Sequence, residues 1–388
     1  MIKRIVECFV IGCLLLGAIE AIASEHPVTV VASSSEKKEK PKAEGSRKKS
    51  EGTTEAKPST KPQPNQECPI CRWFELQQAT ISTRYRSIES SASVLTNNQV
   101  QSNQAFKARF KFDREGKYSF NFGLFSGNNF TGSWNNTGIG TGTRFTNMYV
   151  KQAFVAAKPI KGVEVQFGGL YVERGENTEI TSYDNDAYIM GERVVVKRPR
   201  TFFFDQVTLT YAHLGDLTKP NVLDRLHRLD QSNYHQLMVS KVIGKRASVT
   251  ADYTFQSGVE TMREAAKIIT KELRVVDSIR FETYQRMDVN RDGGFAMQAE
   301  KAWFRKRLTV SGGYAQIDKS YGGLNGDRYN KGKRLFVNGS FTITPEFSVS
   351  TFATRAIDNP YAVANHTRFD LIFSYNLLKT FQRKGYFK

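Results

Sequence analysis

Residues 106–112 read Phe106-Lys107-Ala108-Arg109-Phe110-Lys111-Phe112, and after a short turn residues 118–124 read Tyr118-Ser119-Phe120-Asn121-Phe122-Gly123-Leu124. Strict alternation of this kind specifies β-strands, because successive side chains point to opposite faces. One face carries only Phe, Tyr, Leu and Ala, and the other carries Lys, Arg, Ser, Asn and Gly. The pattern returns near the C-terminus, where Phe369, Leu371, Phe373, Tyr375 and Leu377 alternate with Arg368, Asp370, Ser374 and Asn376. Strands that are oily on one face and charged on the other suit a cylinder with lipid outside and water inside. The expected fold class is therefore all-β, a transmembrane antiparallel β-barrel.

Composition agrees with that reading. The chain has 388 residues, 39% hydrophobic and 12% aromatic, with a formal charge of +18. A soluble domain of this size would need several continuous apolar stretches for its core, and past the N-terminus there are almost none. No later segment approaches the roughly 20 apolar residues of a membrane helix. Any membrane crossing must be made by strands.

The N-terminus carries an export signal. Met1-Ile2-Lys3-Arg4 is basic, Ile5 to Ile22 is mostly apolar, and Ala21-Ile22-Ala23 fits a small-x-small cleavage site before Ser24. Val10-Ile11-Gly12-Cys13 loosely matches a lipoprotein box, but Leu14-Leu15-Leu16 continues the apolar run past the cysteine. The expected organisation is a signal peptide over 1–23, a disordered linker over 24–72 and a barrel over 73–388. The linker is rich in Lys, Glu, Ser, Thr and Pro, and residues 24–67 contain no Phe, Trp or Tyr. Such a segment buries too little surface to offset its chain entropy. Cys68 and Cys71 are the cysteines left after cleavage, and a disulfide between them suits an oxidising compartment. Their Cys-x-x-Cys spacing also matches redox sites, but no βαβ pattern surrounds it, so the pair reads as structural or inert.

From Trp73 onward the punctuation is regular. Short turns fall at Arg114-Glu115-Gly116, Pro159-Ile160-Lys161-Gly162, Gly244-Lys245-Arg246, Arg305-Lys306-Arg307 and Thr344-Pro345-Glu346. Longer polar stretches fall at 126–143, 174–186, 214–231, 318–331 and 356–367. Chain ends on one side of the membrane require an even strand count, and each short turn joins a descending strand to an ascending one. The strand 203–213 therefore pairs with 187–199, and 277–287 pairs with a strand near 262–271. Met262, Ala265, Ala266 and Ile269 have helical spacing, so 258–274 is either a strand or a loop helix. Counted as strand, the total is sixteen, with fourteen or eighteen as the alternatives.

These features resemble bacterial outer-membrane porins of the general diffusion, phosphate-selective and alginate-export-like families. The stretch Tyr149-Val150-Lys151-Gln152-Ala153-Phe154-Val155, the Lys-Pro turn and Val163 to Gly169 are similar to a porin hairpin. The final strand near Ser374-Tyr375-Asn376-Leu377 is similar as well. The resemblance covers about 73–388 and implies an outer-membrane barrel and a pore, with no particular solute. Its implied partners are outer-membrane lipids and small hydrophilic or anionic solutes, with a homotrimer as an assembly it allows. Where porins often stop on an aromatic residue, Lys379 to Lys388 follow here, which leaves the end of the last strand open.

The water-facing positions carry the chemistry. Arg84, Arg86, Lys107, Arg109 and Lys111 share one face of the first two strands, and Arg280, Arg286, Arg334 and Arg368 are assigned to the same face. Residues 72–388 hold 45 Lys and Arg against 29 Asp and Glu. Cations lining a narrow aqueous pore raise the local anion concentration and repel cations. The bland alternative places many of them at the rim. By strand count 174–186 is the third long loop, with Glu176, Glu179, Asp184 and Asp186. In general porins that loop folds inward as a constriction, so the resemblance assigns it this role, against an exposed, solvated acidic loop.

Other chemistry finds little support. Asp288-Val289-Asn290-Arg291-Asp292-Gly293 opens like a calcium loop, but its twelfth position is Ala299 and Glu300 comes one later. His26, His213, His227, His235 and His366 are scattered without ligand spacing, and no local motif suggests catalysis. No enzyme activity, cofactor, metal or nucleic-acid partner is expected. A passive channel is the leading expectation. The alternatives are a structural barrel tied to peptidoglycan through residues 24–67 and, further back, a barrel enzyme acting on lipid or peptide.

Overall fold

The computed structural model describes residues 72–386 except 91–93, 130–131, 183–187, 198–202, 217, 229, 271–274, 288–291, 319–328, 330 and 359–365. The expected signal peptide, almost all of the expected linker, Cys68 and Cys71 lie outside the described residues. So do Asp184, Asp186 and the opening of the calcium-like stretch.

The chain begins with β1 (Phe74–Glu89), β2 (Leu95–Lys111), β3 (Tyr118–Ser126), β4 (Asn135–Gly140), β5 (Met148–Ala157) and β6 (Val163–Tyr171). Next come β7 (Tyr188–Lys197), β8 (Gln206–His213), β9 (Tyr234–Ile243), β10 (Ala247–Gln256), β11 (Val259–Ile269) and β12 (Ser278–Arg286). The last are β13 (Gly293–Trp303), β14 (Leu308–Ile317), β15 (Gly332–Thr342), β16 (Phe347–Asp358) and β17 (Thr367–Asn376). All belong to one antiparallel sheet, and β1 pairs with both β2 and β17, which closes it.

Sixteen of these strands form the wall. The seventeenth, β4, is an inlay: β3 pairs directly with β5, while β4 pairs with Gln99, Gln101 and Ser102 of β2. The cause is a mismatch of length, since β2 has 17 residues and β3 has 9. The upper part of β2 would otherwise present an unpaired edge, which proteins cover.

Alternation sets the faces. Phe110, Phe112, Tyr118, Phe167, Phe369 and Tyr375 are exposed on the outside, Phe112 at 61%. By register Phe122 lies beside Ala108 and Ala153 on that face. Lys107, Arg109 and Lys111 point inward, because a slip of one residue would exchange the two sets. The segment with helical spacing is strand β11, paired along its length with β10 and β12. Pairing on both sides outweighs a local spacing that suits a helix.

The five short turns lie at one rim together with both described ends of the chain, and the strand ends that lead into the long polar stretches lie at the other. The long-loop rim also holds one tight turn, Ser257–Gly258 between β10 and β11, with φ of 48° and 89°. After β17 the chain forms a helix, α1 (Leu377–Arg383), so Leu377 ends the strand pattern rather than extending it. Asn376 caps it by accepting from the Lys379 amide at 3.2 Å. Arg383 pairs with Glu346 at 3.1 Å, and Tyr375 bonds Thr380 at 2.9 Å, which fixes the helix at the short-turn rim.

Candidate functional site in the barrel interior

Closure of β1 on β17 brings residues from opposite ends of the chain to one patch of the inner wall. Arg86 lies opposite Asp370 in the register. The Asp370 carboxylate accepts from Arg86 Nε at 3.1 Å and Arg368 Nη2 at 2.6 Å, and Arg84 Nη1 lies 3.5 Å away. Arg84 also donates from Nε to Gln101 Oε1 at 2.9 Å, and its guanidinium lies 4.1 Å from the centre of the Trp134 ring. Arg368 lies 5.5 Å from the Phe352 ring. Arg334 of β15, 0% exposed, is close enough to Arg368 for the two charges to repel. Three guanidinium groups thus surround one carboxylate, each packed on a ring or hydrogen-bonded as buried charge requires, with Arg334 behind Arg368.

Lys107, Arg109 and Lys111 occupy a second station nearer the short-turn rim. In the register Arg84 faces Gln101 while Lys107 faces Gln78. The step from Gln101 to Lys107 along β2 is about 20 Å at about 3.3 Å per residue. The five cations assigned to one face of the first two strands therefore form two separate sets along it, because the strands are staggered. Lys107 and Arg109 open on an interior cavity of about 810 Å³ lined also by Asn103, Asn121, Gln152 and Gln166. Arg109 Nη2 donates to the Gly116 carbonyl at 3.0 Å, Lys111 pairs with Glu75 at 3.2 Å, and Lys107 lies 5.3 Å from the Phe125 ring.

The third long loop enters the barrel. Gly175 lies against β10, where a Cβ would sit 2.5 Å from the Thr250 side chain, and its φ is +57°. The Glu176 amide donates to Thr250 Oγ1 at 3.0 Å. Its carboxylate accepts from Ser248 Oγ at 2.6 Å and lies 3.5 Å from Arg280 Nη2 of β12. Glu282 accepts from the Thr178 amide at 2.9 Å and Thr181 Oγ1 at 2.6 Å, and Arg263 Nε donates to the Thr181 carbonyl at 2.7 Å. Ile180 then packs with Tyr284, Ala296, Ile317 and Phe352. The loop is pinned to the inner wall of β10–β12, and Glu176 and Glu179 are inside the cylinder.

Arg280 and Arg286 lie on the inner face of β12 by register, Arg280 beside Glu176. Several interior charges had no place in the sequence reading. Arg193 donates to Thr210 at 3.0 Å and lies 3.7 Å from Glu173 and 5.0 Å from the Tyr171 ring. Arg263 lies 3.8 Å from Asp252, and Lys151 donates to the Gly132 carbonyl at 2.6 Å. Arg193 alternates with Val194 and could have been found; Arg263 was hidden in the segment with helical spacing.

The loops outside the wall have their own electrostatics. Asp113 accepts from the amides of Tyr118, Lys117 and Glu115, and the Tyr118 amide above all holds its carboxyl below the usual range. In the fourth long loop, Arg225 donates to the carbonyls of Leu214, Asn221, Asp216 and Lys219. Burial lowers its pKa, against the pull of Asp224 and Asp216. His235 is stacked on the outer face between Tyr211 and Phe255, with ring centres 4.7 and 5.5 Å apart. Among the described residues no cluster of His, Cys, Asp and Glu could hold a metal ion.

No protein-family model matches the chain, and no curated protein matches it. Solved structures do. A variant of the Rhodopseudomonas blastica porin aligns with TM-score 0.52 at 12% identity, over 78% of this chain and 99% of that one. Salmonella typhi OmpF, solved in complex with daunomycin, aligns with TM-score 0.51 at 12% identity, over 78% and 97%. At this identity the likeness is one of fold.

Proposed function

We propose that the chain is an outer-membrane porin of a Gram-negative-type bacterium, a passive channel that admits small hydrophilic solutes and prefers anions. The observation that carries this reading is a loop folded inside a closed sixteen-strand wall, beside a cavity of about 810 Å³ that opens on Lys107 and Arg109. A loop pinned inside the wall narrows the lumen without filling it, and selectivity then follows from diameter and wall charge. Three arginines share one carboxylate at the upper station with Arg334 close to Arg368, and the loop acid Glu176 is already engaged by Ser248 and Arg280. The field along the path is therefore net positive, which draws anions in. The likeness in fold to porins supports the same reading and agrees with a channel rather than an enzyme.

Purified protein in a planar bilayer tests this. Discrete steps of conductance are expected, with a reversal potential on the anion side under a salt gradient. The preference should weaken towards about 1 M salt, where the screening length falls to about 3 Å. A tight seal with no steps would reject the channel, and a reversal potential on the cation side would reject the assigned selectivity.

A further inference from the structure

The turn between β13 and β14 reads Phe304-Arg305-Lys306-Arg307, and three consecutive residues hold positive φ: Phe304 at 50°, Arg305 at 56° and Lys306 at 68°. L-residues with side chains rarely adopt this conformation, and turns that need it normally use Gly or Asn. Neither occurs between Trp303 and Leu308. Strain of this kind persists where the displayed side chains do something. All four are exposed, Phe304 at 71%. The backbone closes on itself, with the Arg307 amide donating to the Phe304 carbonyl at 3.2 Å and the Thr342 amide to the Arg307 carbonyl at 2.8 Å. Arg305, Lys306 and Arg307 make no ion pair or side-chain hydrogen bond among the described residues.

The surroundings define what would meet them. Directly above on the outer face stand Trp303 and Phe341, both exposed, and exposed Ile343 lies in the neighbouring short turn. Three unengaged cations beneath a band of exposed rings match the boundary between acyl chains and phosphates, where aromatic residues anchor and basic residues pair with anionic headgroups. We infer that the Phe304–Arg307 turn is a binding site for the headgroup phosphate of anionic phospholipids in the leaflet at the short-turn rim. A soluble anion would use the cations but gain nothing from Trp303 and Phe304, so the lipid fits both halves of the patch. The inference rests on the membrane-channel reading above.

The full chain is reconstituted in phosphatidylcholine vesicles with and without phosphatidylglycerol, then extracted mildly, and retained lipid is counted by native mass spectrometry. Wild type should keep phosphatidylglycerol over phosphatidylcholine. Each of Arg305→Gln, Lys306→Gln and Arg307→Gln should lower that ratio about fivefold, equal to about 1 kcal/mol per cation near the surface. Arg305→Lys with Arg307→Lys should preserve it. Equal ratios for wild type and the triple Gln variant, in a protein that still conducts, would overturn the lipid site alone. Complete displacement of the lipid by millimolar inorganic phosphate would also overturn it, in favour of a soluble anion. A chain that neither inserts nor conducts would remove both readings.

Discussion

Arg84 and Arg86 differ from Lys107, Arg109 and Lys111 in almost everything except their place in the alternation. Both sets face inward from β1 and β2, yet the first is 4% and 7% exposed and gathered around Asp370, while Lys107 and Arg109 of the second open on the cavity. The difference comes from what other parts of the chain bring. β17 supplies Asp370 and Arg368, and the second long loop supplies Trp134. The lower set meets short polar side chains such as Asn121, which leave room for water. Identical charge on one face can thus become a fastener or a field, according to its partners.

The sharpest way to break this comparison is to remove the shared carboxylate. Asp370→Asn leaves three buried guanidinium groups without their common counter-ion and should cost about 3–5 kcal/mol, the loss typical of breaking a buried pair. Thermal unfolding in detergent measures it. An unchanged midpoint would mean that water already screens the upper arginines, and the two sets would be alike.

Glu282→Ala tests whether the loop inside the wall sets the diameter past both stations. It removes the acceptor for Thr178 and Thr181 and should cost about 1–3 kcal/mol for groups left unpaired. Single-channel conductance should rise as the loop leaves the wall of β10–β12. A conductance identical to wild type would show that the remaining contacts, Glu176 with Ser248 among them, hold the loop alone.

The lower set should give the opposite signature, a large change in selectivity with little change in stability. Lys107→Gln, Arg109→Gln and Lys111→Gln together should move the reversal potential towards cations. Strand content by circular dichroism should stay the same, and stability should change by less than about 1 kcal/mol, as for partly exposed charges. A barrel that unfolds would make these residues fasteners as well.

The smallest effect is expected at the turn beneath the lower set, where Asp113 caps three amides. Its folded pKa is depressed, so its contribution is present above the unfolded value of about 3.9 and is lost as pH falls through the lower, folded value. An Asp113→Asn variant should lack this acid-side step when melting is followed against pH. The same slope in both proteins would place the step elsewhere.

Much of the wall was legible in advance. Phe110 beside Arg109 specifies which way each points, since lipid and water reject the wrong partner whatever the rest of the chain does. Parity of the turns yields sixteen strands for the same local reason, and it recovers β11 despite the spacing of Met262, Ala265, Ala266 and Ile269. The rank and acids of 174–186 marked the loop. Its course inside the cylinder depends on Thr250, Glu282 and Arg263, which lie about 70 or more residues away along the chain. Arg86 and Asp370 are separated by 284 positions and meet only because the sheet closes. The inlay of β4 follows from the unequal lengths of β2 and β3, and the turn to helix at Leu377 from the Asn376 cap. The sequence by itself determined the faces of the strands, because alternation against lipid and water is a local constraint. Only the tertiary structure decided which interior charges are paired and where the lumen narrows, because those depend on neighbours that closure of the barrel brings together.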